Sequence, residues 1–216
     1  MRLLLINPNS TEATTERIAA TARASASPGT QIDALTAASG IPAIETPEQS
    51  AQAEPAVLNL VAEHAPTYDA LIIAAFSDPG LAEARRVTDR PVIGIAESAL
   101  LRGAEIAERF AIVTLGAAFE PLLWTHAERC GVRDRLASIR FMPWPVAEVG
   151  AEPDRFLPAF RHECARVIAE DGAGAIVIGG GPLSGVAATL AGQIAVPLLD
   201  GVVCAVQRAE ALAAKS

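Results

Sequence analysis

Two stretches decide the fold: DALIIAAFSDPGL at residues 69–81 and GAIVIGGGPLSGV at residues 174–186. Each is an apolar run of strand length that breaks into a turn carrying glycine and proline. Ala70 to Ala82 aligns without a gap onto Ala175 to Ala187, an offset of 105 residues. Further on, RPVIGIAESAL (90–100) meets AVPLLDGVVCAV (195–206) with one residue inserted, pairing Pro91 with Pro197. The starts RLLLINPN (2–9) and RFAIVTLG (109–116) share the same pattern. Self-similarity at a fixed spacing is the mark of a duplicated supersecondary unit.

Outward from these stretches, strands and helices alternate along the whole chain. Short, fully apolar strands separated by helices indicate parallel sheets covered on both faces. The fold class expected is therefore α/β: two parallel-sheet lobes related by a pseudo-twofold, with a ligand cleft between them. Residues 1–97 with a C-terminal helix over 202–216 form the first lobe in this reading, and residues 98–201 the second. The stretch PEQSAQAEPAVLNLVAEHA (47–65) reads as a helix interrupted or begun anew near Pro55.

Composition narrows the function. Hydrophobic residues make up 51% of the 216 and charged ones 19%, enough for a core and too apolar for disorder. The formal net charge of -8, with Lys215 as the sole lysine, argues against a nucleic-acid partner, which would need a basic face. The N-terminal apolar run is too short for a signal peptide, and nothing approaches a membrane span. A cytoplasmic protein without a membrane partner is expected, and a homo-oligomer. Cys130, Cys164 and Cys204 lack metal spacing, and His64, His126 and His162 stand alone. The triple glycine lacks both the lysine of a phosphate-binding loop and the spacing of a dinucleotide fingerprint. No metal and no cofactor are expected.

Ligands of parallel sheets bind beyond the carboxyl ends of the strands. The cleft is therefore lined by the loops 7–11, 74–80, 114–118 and 179–185. Asn9, Ser10 and Thr11 offer amide and hydroxyl groups at a helix start, suited to a carboxylate or imide oxygen, or to capping alone. Phe76 lies in the second loop, and Gly181 and Pro182 lie where the glycine run lets the backbone approach a ligand. Thr114 is placed to donate to a substrate carbonyl. Asp78 is expected to cap the short helix beginning near Pro79, and it is also a candidate base. Glu97 begins another helix, where a carboxylate compensates the dipole or serves the site. Ser77 faces the ligand, although a serine without a histidine partner is a weak nucleophile.

These residues also carry a resemblance. INPNST, AFSDPGL, ARR, PVIGIAESA, FAIVT and PLLDGV together resemble the hydantoin and allantoin racemases of the aspartate/glutamate racemase superfamily, over nearly the whole chain. The resemblance implies a two-lobed fold, no cofactor, and a cleft for a small carboxylate, ureide or hydantoin-like compound. It also implies two cysteines, one per lobe, that exchange a proton on opposite faces of a stereocentre. The resemblance places them at Ala75 and Gly180, which are also partners at the offset of 105. Neither residue carries an acid or a base, so racemisation by two thiols is not expected. Two alternatives follow: an enzyme of changed chemistry, a lyase or hydrolase, with Asp78, Glu97 and Ser77 as its catalytic candidates; or a catalytically silent homologue that binds such a ligand or partners an active subunit.

Overall fold

The computed structural model describes residues 1–215. Two four-stranded parallel sheets form its frame. The first has the order β2-β1-β3-β4, from β1 (Arg2–Asn7), β2 (Gln31–Thr36), β3 (Ala70–Ile73) and β4 (Val92–Gly94). The second repeats the order as β6-β5-β7-β8, from β5 (Phe110–Thr114), β6 (Leu136–Phe141), β7 (Ala175–Ile178) and β8 (Leu198–Asp200). The two stretches that open the sequence become β3 and β7 with their following turns.

Continuous apolar runs form these strands because each strand is buried on both faces. Leu3, Leu5, Ala70 and Ile72 point to one side of the first sheet, and Leu4, Ile6, Leu71 and Ile73 to the other. The second side is covered by α2 (Pro47–His64), through Val57 and Val61, and by Ala84 of α3 (Leu81–Val87). The first side receives α1 (Glu12–Ser25), through Ile18 and Ala22, and α9 (Gly201–Ala213), through Val202, Ala205, Val206 and Ala209. Each Leu or Ile buried in this way contributes about 1.5–3 kcal/mol. Residue 216, the end of the expected C-terminal helix, lies outside the described residues.

The second sheet is covered in the same manner. Ala111, Val113, Ile176 and Ile178 pack on Phe160, Cys164 and Val167 of α7 (Pro153–Asp171), beside Val149 of α6 (Val146–Ala151) and Val186 of α8 (Val186–Leu190). On the opposite face, Phe110, Ile112, Ala175 and Val177 meet α5 (Glu120–Arg129), through Leu123 and Ala127, and α4 (Ile95–Ile106), through Ala99 and Leu100. Thus α4, which follows the last strand of the first sheet, covers the second sheet, while α9, which follows the last strand of the second, covers the first. Small side chains permit this exchange: a Cβ on Gly103 of α4 would overlap the Phe110 ring.

The helix expected to break near Pro55 does not break. It runs from Pro47 to His64 with Pro55 inside, behind a capping box of Thr46 and Gln49. Pro55 removes one intrahelical donor, but it and Ala51, whose carbonyl that donor would have reached, are both exposed, so water can replace the bond. Among the described residues, no helix is long and apolar enough to cross a membrane.

Candidate functional site

The turns after β3 and β7 close on one another between the two sheets. Ala75, Phe76 and Ser77 from the first and Gly179, Gly180, Gly181 and Pro182 from the second line one cavity, together with Asn9 and Thr114. It encloses about 60 Å³. Contact across the seam is close: a Cβ at Gly179 would overlap the Phe76 ring, and one at Gly181 would come within 2.9 Å of Ile18. Gly180 holds φ +122 and ψ 135, a conformation essentially reserved for glycine.

The repeat extends into the turns. Gly80 and Gly185, partners at the same offset, both sit at positive φ and begin α3 and α8 respectively. Each half also joins its turn to a helix through one carboxylate, though from opposite ends. In the first half Asp78 Oδ1 accepts from the Ala96 N–H (3.0 Å) and Oδ2 from the Glu97 N–H (2.8 Å). In the second, Asp200 Oδ2 accepts from the Gly185 N–H and Oδ1 from the Val202 N–H, both at 2.8 Å. Counting on from the Pro91–Pro197 pair, Asp200 matches Gly94, and the Asp78 carboxylate fills the space that a Cβ at Gly94 would take.

Asp78 therefore caps α4, and not the short helix after Pro79, whose N-cap is Gly80 at φ 68. It is 6% exposed and holds φ 45, the one non-glycine residue at positive φ among those described. Burial pushes its carboxyl up to about 7, against the lowering effect of the two N–H bonds and of Arg85. Both oxygens are engaged with α4, and Asp78 does not line the cavity between the turns. Glu97 does not line it either. Burial would raise the Glu97 carboxyl, but the two-point pairing with the Arg85 guanidinium outweighs this and holds it below the usual range. Asp78 and Glu97 instead line a second cavity of about 410 Å³, which adjoins the first at Ser77.

The other candidates divide. Asn7 Nδ2 donates to Asn9 Oδ1 and Thr15 Oγ1, and Asn9 Oδ1 also accepts from the Thr11 N–H. Asn9 thus spends its oxygen on the loop, and its side-chain NH2, unbonded among the described residues, remains at the cavity. Ser10 and Thr11 do not line it: the Ser10 N–H donates to the Ile41 carbonyl, and the Thr11 hydroxyl to that of Pro42. Thr114 lines the cavity at 3% exposure, yet its hydroxyl donates to the Gly179 carbonyl at 2.8 Å. Its proton is spent on joining β5 to the second turn, which corrects the donor role expected for it. Ser77 accepts from the Ser50 hydroxyl at 2.8 Å and keeps its own proton.

The rest of the lining is apolar. Ala74 and Leu115, from two of the expected loops, and Ile44, Phe119, Leu123 and Val146, from outside them, complete it. Ile44 lies in irregular chain, and Val146 begins a short helix after a proline-rich segment, so no periodic pattern marks either one. Among the described residues, no titratable side chain lines this cavity. Cys164 and Cys204 line neither cavity, Cys130 lines the second, and burial raises the thiols of all three. The backbone N–H groups of Ala75, Phe76, Ser77, Gly180 and Gly181 donate no bond within the described chain. No group of three or more His, Cys, Asp or Glu side chains that could hold a metal is found among the described residues.

Two parallel sheets of the same strand order, with a cavity between their matched turns, define a duplicated α/β fold with an inter-sheet cavity. Residues 3–209 match the Asp/Glu/Hydantoin racemase family, and the chain belongs to that family. It is 34% identical to the hydantoin racemase of Pseudomonas sp. (strain NS671), over 98% of this chain and 86% of that protein. Among solved structures, it is similar to allantoin racemase from Klebsiella pneumoniae, with 36% identity, a TM-score of 0.95, and coverage of 100% of this chain and 88% of that one. Allantoin racemase from Pseudomonas fluorescens is 32% identical with a TM-score of 0.94, covering 100% and 92%.

Proposed function

We propose that the cavity between the turns binds a small, neutral, carbonyl-rich ring of the hydantoin type, and that the chain does not racemise it by two thiols. The observation that carries this reading is the lining: hydrogen-bond donors and apolar walls, with no titratable side chain among the described residues. The Asn9 amide, the Ser77 hydroxyl and the unengaged N–H groups of the two turns suit the carbonyl oxygens of an imide. A carboxylate would fit less well, because no cation lines the cavity to offset the cost of burying its charge. The relatives named as hydantoin and allantoin racemases support the same ligand class.

In this reading, Ala75 and Gly180 stand where the family resemblance places the proton-exchanging cysteines. Proton exchange at a carbon needs a base within hydrogen-bond reach of that proton. Asp78 is bound to the α4 backbone and Glu97 is paired with Arg85, so neither is free to serve. The silent, ligand-binding alternative is therefore favoured over changed catalysis.

Calorimetric titration with hydantoin, allantoin and aspartate, together with proton NMR of the same mixtures in heavy water, tests the proposal. Hydantoin and allantoin should bind more tightly than aspartate, without deuterium entering the stereocentre faster than in buffer. Exchange above the buffer rate would mean that a base acts in the cavity and would sink the reading.

A further inference from the structure

The second cavity, beyond Ser77, has a chemistry of its own. At about 410 Å³ it falls within the usual size of small-molecule sites. Its walls come from α2, α3, the start of α4, and α5. Arg85 and Glu97 neutralise one another on one side. Asp78 is bound to the α4 backbone and Glu83 pairs with Arg86, which leaves Glu54 from α2, and His126 and Arg129 from α5. Among the described residues, none of the three has an ion pair or a side-chain hydrogen bond. Burial, and then the nearby Arg129 charge, lower the proton affinity of His126 below that of a free imidazole.

An uncompensated acid and an uncompensated base thus share one cavity. A simple anion there would meet Glu54, and a simple cation would meet Arg129. A ligand with both charges satisfies both groups: an ammonium for Glu54 and a carboxylate for Arg129, with His126 able to donate or accept once.

The cavity also touches the first. Ser50, on its α2 wall, donates to Ser77, which lines both cavities. On α5, Leu122 lines the second cavity and the adjacent Leu123 the first. We propose that this crevice is a second small-molecule site, for a zwitterionic α-amino acid, and that its occupancy is coupled to the first cavity through Ser50–Ser77 and α5. The site stands without the reading of the first cavity as a hydantoin site; only the coupling rests on it.

Calorimetric titration of the full chain with L-methionine tests this, alongside N-acetyl-L-methionine, which lacks the ammonium, and L-methionine methyl ester, which lacks the carboxylate. The free amino acid should bind, and each capped analogue should bind at least about tenfold more weakly. Glu54→Gln should remove the preference for the free ammonium, and Arg129→Gln the preference for the free carboxylate. Circular dichroism confirms that each variant is folded; Arg129 is exposed and Glu54 half-buried, so both positions tolerate the change. Saturating hydantoin should shift the affinity for L-methionine without abolishing its binding, and the reverse titration should shift by the same factor. Competitive displacement by hydantoin would place L-methionine in the first cavity and overturn the proposal. So would absence of binding at millimolar L-methionine, equal binding of the capped analogues, or unchanged binding in both variants. If hydantoin itself fails to bind, the reading of the first cavity and the coupling fall, while the capped analogues still decide the second site.

Discussion

Raising the pH should destabilise this protein across a range in which most proteins are indifferent, and Asp78 is the reason. Its carboxyl moves from 3.8 to about 7 on folding, because burial outweighs the two N–H bonds and Arg85. Between those values the folded chain keeps a proton that the unfolded chain has released. The folded state then binds more protons, so stability falls as pH rises. Each pH unit costs about 1.4 kcal/mol, and the whole window of roughly three units comes to about 4 kcal/mol. Above about 7 the loss should level off. Asp200 is raised by burial too and adds to the trend, whereas His126, whose proton affinity is lowered, opposes it as pH rises towards its usual value. Comparison with Asp78→Asn isolates the contribution, since the amide does not titrate. Urea unfolding of both proteins from about pH 5 to about pH 8 gives the difference in stability, which should shift against the parent by about 1.4 kcal/mol per pH unit up to about 7. A difference that stays flat, or that shifts in the parent's favour, would refute the reasoning. It would mean that the Ala96 and Glu97 N–H groups hold Asp78 ionised despite its burial.

Three further outcomes can be checked by thermal or chemical unfolding. Gly94→Ala drives a methyl into the Asp78 carboxylate and should cost about 1–3 kcal/mol, with the loss of the α4 cap added; near-neutrality would mean that the turn yields easily. Gly180→Cys should cost about 1–3 kcal/mol through backbone strain at φ +122, although its nearest neighbour is 3.9 Å from the new Cβ. Ala75→Cys, at an ordinary backbone position, should cost less, and equal losses would show that space rather than φ governs. A double-mutant cycle with Ser50→Ala and Ser77→Ala should return a coupling of about 1 kcal/mol for the buried hydroxyl pair; simple additivity would remove that link between the two cavities.

The sequence by itself determined the architecture and which turns meet around the candidate cavity. Runs such as Leu3–Ile6 and Ala70–Ile73 are apolar at every position because parallel strands are buried on both faces, and that requirement is local enough to be read from letters. The repeat at an offset of 105 carried the shared strand order of the two sheets, the paired glycines Gly80 and Gly185, and the meeting of the turns around Ala75 and Gly180. The single lysine, Lys215, and the acidic balance were legible in the same way.

Only the tertiary structure decided where the polar groups spend their bonds. Asp78 caps a helix 18 residues away, where the short helix beside it had been expected, because Gly94 leaves room for its carboxylate against α4. Thr114 gives its proton to a carbonyl 65 residues further along, and so loses the donor role that its position suggested. Ser10 and Thr11 turn to the 41–42 segment and leave the site, while Ile44 and Val146 enter it from stretches without a pattern. Apolar burial repeats with the period of each element and so leaves its mark in the local sequence. A hydrogen-bond partner or a burial-shifted carboxyl depends on which distant segment the packing brings alongside, and no local period records that.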